Sequence, residues 1–133
     1  MSKWFDMGIS DVSFLASESM ASNWQYHFVE LQTAGYVSKC DSGSATYGPI
    51  GILQNAPASG EEAQVRMLGC SKLVIDSTGA SFGAWITSDG SGRGSATTEG
   101  SLATAIALED SDAAASSIIN VFFMPVNWLT KKA

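Results

Sequence analysis

The sequence predicts a mainly β protein, a small barrel or sandwich of short strands. Short apolar segments recur about every 8 to 15 residues, and glycine and aspartate turn signals separate them. Only 15% of the residues are charged, which argues against a charge-laced helical bundle. A chain of 133 residues suits one domain and can bury a core without a metal or a disulfide.

The first 22 residues form a serine-rich leader in which apolar side chains have no regular spacing. Ser10 could cap one short helix. Two interpretations stay open for the leader: an arm that docks on another molecule, or a segment that packs on its own domain.

The clearest strand signal follows the leader, at residues 23–31. There Trp24, Tyr26 and Phe28 alternate with Gln25, His27 and Val29, as the two faces of a strand would. Further strands are predicted at residues 36–40, 49–54, 63–68, 70–75, 84–87, 102–108 and 118–123. Turn signals lie at 76–79 and 88–92. The chain is therefore divided into an arm with leading strands (1–46), a β-barrel domain (47–124) and a C-terminal tail (125–133).

Composition excludes several classes of function. The formal net charge is −6, and the seven basic residues form no cluster outside Lys131 and Lys132, so no basic face for nucleic acid is expected. No apolar run has the length of a signal peptide or of a membrane helix, and synthesis in a cytoplasm is expected. With one histidine and no paired cysteine motif, a zinc site is not expected. Cys40 and Cys70 are expected to be reduced thiols, with a bridge as the alternative.

No set of residues has the spacing of a catalytic site. His27 is the only histidine, and no motif places a nucleophile or an orienting acid beside it, which leaves an esterase-like site as a remote alternative. The glycine-rich segment 90–94 lacks the spacing and the lysine of a phosphate loop, so a β-turn is expected there. The acidic residues at 61–62 and 109–112 are expected to be solvated. We therefore expect a protein that is not an enzyme and has no cofactor or metal.

The aromatic residues leave a second function open. Trp24, Tyr26 or Trp85 could stack on sugars, which would make the chain a carbohydrate- or surface-binding β module. The same spacing is also typical of one wall of a β core.

Between residues 48 and 124 the chain contains a series of short motifs whose order is more specific than any one of them. The motifs are, in order, Gly51-Ile52-Leu53-Gln54-Asn55, Gly60-Glu61 followed by a strand at Val65, Gly69, Gly83, Trp85-Ile86-Thr87-Ser88-Asp89, Gly92-Arg93, Ile106-Ala107-Leu108-Glu109 and Val121. In this order they resemble the cement or decoration proteins of phage heads. Ala105 departs from the pattern, because glycine usually precedes the strand there. The first 46 residues have no counterpart in the family core.

The resemblance implies a small antiparallel β-barrel or β-tulip-like domain, which we expect to carry an extended N-terminal arm. It also implies a virion structural protein of the outer capsid surface, without enzymatic activity. Such proteins bind the major capsid protein and neighbouring copies of themselves, commonly as homotrimers, and they stabilise the icosahedral head. We expect the contacts with the capsid and with other copies to come from aromatic and apolar residues of the leader and the tail: Trp4, Phe5, Phe14, Trp128 and Leu129.

Overall fold

The fold is built from strands around one long central strand. The computed structural model describes residues 10–40, 49–97, 102–112, 117–124 and 129–130. Within these ranges every regular element is a strand: β1 (Ser10–Ala16), β2 (Phe28–Thr33), β3 (Tyr36–Lys39), β4 (Gly51–Leu53), β5 (Glu62–Ile75), β6 (Trp85–Ser88), β7 (Gly94–Ala96), β8 (Leu102–Ala103), β9 (Ala105–Ala107), β10 (Ser117–Phe123) and β11 (Leu129–Thr130). The expected mainly β fold is confirmed. No helix in these ranges is long and apolar enough to cross a bilayer.

The first half of β5 belongs to a closed five-stranded barrel. The order of its strands is β1-β3-β2-β4-β5, and β1 pairs with β5 to close the ring. The pairing of β1 with β5 is antiparallel, with Val12 opposite Val65, whereas β1 and β3 are parallel at Leu15 and Tyr36. Closure leaves few unpaired edges, which is the usual protection of a β protein against edge-to-edge association.

The second half of β5 starts another ring, with the order β5-β10-β9-β6-β7. Strand β10 pairs antiparallel with β5 along its whole length, from Ser117 opposite Ile75 to Phe123 opposite Gly69. A single parallel pair, Ile75 with Gly94, closes this ring. Gly69 has a φ of 113°, so it marks the point at which β5 leaves one ring and enters the other.

Each ring has its own core, and β2 and β4 form a wall between the two. Phe28 and Ile52 face the core of the second ring, while their neighbours Val29 and Leu53 face the core of the first. All four side chains are fully buried. The Phe28 ring lies 6.0 Å from that of Phe123 in a tilted arrangement. Because strand residues alternate in direction, one short wall serves both cores.

Four sequence-based expectations are wrong in detail. The single strand expected at residues 102–108 is two strands, β8 and β9, in different sheets. Residues 10–16 form β1 instead of a helix capped by Ser10, and this strand belongs to the first barrel. Residues 23–27 are a turn, so the strand expected from residue 23 begins at Phe28. The two strands expected around Gly69 are one strand of 14 residues.

The first barrel also crosses the boundary expected between residues 46 and 47. Strands β1, β2 and β3 come from the first part of the chain, and β4 and β5 from the second. The described part of the leader is thus a component of the barrel; residues 1–9 lie outside the described residues.

Candidate functional site

The connection from β1 to β2 is the most unusual stretch of backbone in the described residues. Asn23 and Tyr26 have φ angles of 61° and 65°, in the left-handed region that favours glycine. Asparagine tolerates this region, whereas a residue as bulky as tyrosine is rarely found there. The conformation costs on the order of 1 to 3 kcal/mol and persists only where the surroundings impose it. Strained backbone of this kind clusters at functional sites.

Hydrogen bonds from both rings impose the conformation of Tyr26. Its amide donates to the carbonyl of Leu53 at 2.7 Å, and its carbonyl accepts from the amide of Val74 at 2.9 Å. Leu53 ends β4, and Val74 lies in the second half of β5. The segment is therefore held where the two rings meet, which fixes the direction of the Tyr26 side chain.

The Trp24 side chain makes its contacts within the protein. Its indole Nε1 donates to the carbonyl of Phe28 at 3.1 Å, and its ring stacks on that of His27 with centroids 4.7 Å apart. A Cβ at Gly92 would lie 2.5 Å from the ring, so only glycine fits against it, and the Lys39 ammonium lies 5.2 Å from the ring centroid. The indole hydrogen bond, the stacking on His27 and the close approach of Gly92 argue against Trp24 as a free platform for sugars. Trp85, the third candidate, is half-buried in β6.

The imidazole of His27 is half-buried, and its pKa is lowered from the ordinary value. Burial lowers the pKa of its imidazole most, and the positive charge of Arg93 adds to that effect, while hydrogen bonds with the backbone of Gln25 and Trp24 oppose it. The ring nitrogen Nδ1 lies 3.2 Å from the carbonyl oxygen of Gln25. The described residues provide no hydroxyl or carboxylate hydrogen-bonded to this ring, so they do not assemble the esterase-like site.

A cleft of about 570 Å³ opens beside this segment. Its lining combines polar groups of the loop with apolar side chains of the neighbouring strands: Ala21, Asn23, Gln25, Tyr26, His27, Ala56, Val74 and Ile118. The size is within the usual range of small-molecule sites. The Lys72 ammonium lies 5.8 Å from the centroid of the Tyr26 ring. We call this place the Tyr26 cleft; it is a candidate binding site.

The acidic residues considered from the sequence have structural roles. Glu109 accepts hydrogen bonds from the amide and the side chain of Asn120, and Asp110 accepts one from the amide of Phe82. Glu61 accepts from the amide of Ala58 at 2.7 Å, which closes the turn before β5. No group of three or more potential metal ligands lies together in the described ranges.

The glycine-rich segment 90–94 is the expected hairpin turn. It joins β6 to β7, and the Asp89 carboxylate accepts hydrogen bonds from the amides of Ser91 and Arg93. Arg93 also forms an ion pair with Asp89 at 3.1 Å. Cys40 is buried and Cys70 half-buried, and the two do not form a disulfide bond.

The capsid-contact residues expected from the sequence can be located only in part. Phe14 lies in β1, is half-buried and packs on the core of the first barrel. Leu129 lies in β11, whose backbone pairs with β8 opposite Ala103. Trp4, Phe5 and Trp128 lie outside the described residues. Phe14 is not among the residues that line the Tyr26 cleft.

The sequence contained little to indicate this cleft. Asn23 is a residue that often takes a left-handed conformation, but nothing in the local pattern singles out Tyr26 as the strained position. The alternation at residues 23–31 even indicated the opposite, a regular strand.

Strand order and closure define the class of fold, a small β-barrel with additional strands around a shared central strand. The same fold occurs in a solved structure, the N base of the head fiber gp8.5 of bacteriophage phi29. The TM-score is 0.62, and the similarity covers 94% of this chain and 98% of that one, at 14% sequence identity. At this identity the likeness shows a shared fold. No protein-family model matches the sequence. No curated protein matches it either.

Proposed function

We propose that the chain is a structural protein of a phage virion, which decorates the outer surface of the head and stabilises it. The observation that carries the proposal is the fold shared along nearly the whole of both chains with a protein of a phage head fiber. The ordered motifs from Gly51 to Val121 support the same class independently, since they resemble phage decoration proteins. Its partners in this proposal are the major capsid protein and other copies of the chain, as a homotrimer.

The surface of the first barrel supports a role in assembly. Four apolar or aromatic side chains of its strands are more than a third exposed, and two of them lie side by side on β1 and β3: Val12, Leu15, Leu31 and Tyr36, with Leu15 paired to Tyr36. Phe14 lies between Val12 and Leu15 along β1 and is half-buried against the core of the first barrel. Residue 10 is the first residue of β1, so the leader joins the barrel at the end of this strand where Ser10 is paired with Leu68. In our proposal Trp4, Phe5 and Phe14 contact the capsid on this side, and Trp128 and Leu129 add a second contact.

In this proposal each contact contributes a modest binding free energy, and the symmetry of the shell repeats it many times. Burial of apolar surface is worth about 25 cal/mol per Å², reduced by the cost of ordering the segments that bind. Many identical contacts on one shell then stabilise the head without any chemical step. The proposal includes no enzymatic activity, no cofactor, and no binding to nucleic acid or membrane.

Co-assembly tests the proposal directly. The chain is expressed together with the major capsid protein of the same genome, and heads are isolated by sedimentation. We expect the chain to sediment with the heads at a constant copy ratio and to raise the temperature at which they break. Heads that carry none of the chain would overturn the proposal.

The leader is tested by deletion of residues 2–9. A longer deletion that removes β1 would open the barrel, because β1 is one of its five strands. We expect the shorter deletion to lower occupancy on heads, while Phe82→Ser, a change of a 72% exposed residue outside the first barrel, leaves it unchanged. Equal occupancy with and without residues 2–9 would refute the role of Trp4 and Phe5.

The trimer is tested in solution. Light scattering of the purified chain is expected to give about three times the 13.9 kDa mass of one copy. A monomer both in solution and in material released from heads would contradict the expected trimer.

A further inference from the structure

The charges around the Tyr26 cleft are unusual for an acidic protein. The chain has 13 acidic and only seven basic residues. In the described ranges Arg66 and Arg93 are paired with Asp11 and Asp89. Lys39 and Lys72 have no carboxylate of a described residue within ion-pair distance, and their ammonium groups lie over two rings of the same loop, those of Trp24 and Tyr26.

The lining of the cleft carries no negative charge on any of its described residues. The exposed Asn23 carboxamide has no hydrogen-bond partner among the described residues, so its donors and acceptor are available. The Gln25 amide nitrogen donates to the carbonyl of Gln54, which leaves its oxygen free. His27 is uncharged, and with Nδ1–H donated to the Gln25 carbonyl its Nε2 is an acceptor. The polar groups therefore suit hydroxyls, which both donate and accept.

The remaining surfaces of the cleft suit a ring with one apolar face. Tyr26 is half-buried, so part of its ring stays accessible, and Ile118 is 52% exposed at the edge of the cleft. Val74 and Ala56 complete an apolar wall. Aromatic faces bind the C–H faces of sugars in the same way that they bind other apolar rings.

We propose that the Tyr26 cleft binds an acidic saccharide, a sugar unit that carries a carboxylate. Its ring lies against Tyr26, its hydroxyls bond to Asn23, Gln25 and His27, and its carboxylate meets the flexible side chain of Lys72. The left-handed conformation of Tyr26 has a function in this arrangement, because it directs the ring into the cleft from a loop that two strands hold. The proposal concerns a surface separate from the capsid contacts, and it does not rest on them.

The test is a titration of the isolated chain with three probes. Trigalacturonate is the acidic sugar, galactotriose its neutral counterpart, and tricarballylate an anion that lacks a sugar ring. Backbone amide NMR signals of residues 23–27 report on the cleft. We expect saturable shifts with trigalacturonate, affinity about three- to fivefold weaker for galactotriose, and no saturable shifts with tricarballylate. The difference between the two sugars shrinks at high salt.

Two variants separate charge from stacking. Lys72→Met is expected to lower the affinity for trigalacturonate to that for galactotriose and to leave the neutral sugar unaffected. Tyr26→Gly removes the ring while glycine accepts the left-handed backbone, so the fold is retained and both sugars lose about tenfold in affinity. Tyr36→Ala, an exposed tyrosine on β3, is the matched control and leaves binding unchanged.

Several results would overturn the proposal. These are the absence of saturable shifts with either sugar, equal affinity for the acidic and the neutral sugar, equal binding of tricarballylate, or full binding by Lys72→Met. Because the titration uses no heads, its failure leaves co-assembly with the capsid as a separate question.

Discussion

Replacement of Gly51 by alanine tests the packing of β4 against the central strand. A Cβ at this position would overlap the Cγ1 methyl of Val65 and would lie 2.6 Å from the backbone carbonyl oxygen of Arg66. A methyl of Val65 can shift a little, but the carbonyl belongs to β5, which both rings share. The two strands would have to separate where Ile52 is paired with Arg66. We expect a loss of about 2–3 kcal/mol in the free energy of unfolding, the usual cost of overpacking.

The assay is thermal unfolding followed by circular dichroism. The loss corresponds to a fall of about 8–12 °C in Tm for a chain of this size. Two other glycines serve as controls. Gly60 has a φ of 83° and open space around it, so Gly60→Ala costs only the strain of about 1–2 kcal/mol. Gly90 has neither constraint, so Gly90→Ala stays within about 0.5 kcal/mol of the original chain. A Gly51→Ala protein as stable as Gly90→Ala would refute the close approach of β4 to β5.

Three further predictions concern charge and exposure. The pKa of His27 is lowered in the folded state, so the unfolded chain binds more protons near pH 6. The contribution of His27 to the free energy of unfolding is therefore complete above the unfolded pKa of about 6.5 and is lost as the pH falls towards the folded pKa. Urea titrations at several pH values should show that His27→Gln removes this part of the pH dependence. Asp11→Asn breaks a bidentate ion pair with Arg66 that joins β1 to β5. Since both side chains are partly exposed, urea unfolding should show a loss of about 0.5–1 kcal/mol in the free energy of unfolding, and the loss should shrink in 1 M NaCl. A loss above about 2 kcal/mol would contradict the partial exposure of the pair. Phe82 is 72% exposed, so Phe82→Ser should change the free energy of unfolding by less than about 0.5 kcal/mol, whereas a larger loss would show that the ring is covered in solution.

Local patterns predicted the class of fold and several of its turns. The hairpin at residues 88–92 follows from its glycine and aspartate content, and the structure shows the reason: Gly92 has a φ of 71°, and the Asp89 carboxylate binds two amides of the turn. These are interactions within a few residues, so a short window of sequence contains all the information that they need.

Short sequence patterns do not predict the closure of the two rings. The sequence pattern predicts two strands on either side of Gly69, whereas in the structure this glycine lets one strand pass from ring to ring. Strand β1 was missed because its exposed Val12 and Leu15 blur the alternation of a half-buried strand. Both errors concern pairings between residues far apart in the chain, which propensity does not encode.

The error at residues 23–27 has the greatest consequence for function. Alternation of Trp24 and Tyr26 predicted one stacking face, but contacts from distant parts of the chain override it. Gly92 packs against the half-buried Trp24 ring, which also stacks on His27, while Leu53 and Val74 hold the backbone of Tyr26. The same aromatic residues therefore separate into one that stabilises the fold and one that lines a cleft.

The position of the cleft follows from the shared strand. Tyr26 is bonded on one side to β4 of the first barrel and on the other to the second half of β5, so its conformation depends on the relative placement of both rings. Phe28, two residues further on, begins the wall between the two cores. A ligand that required the left-handed Tyr26 would thus bind only the chain in which both rings are assembled. A binding site at this junction has rigid support on both sides, which is the arrangement that keeps an energetically costly backbone conformation in place.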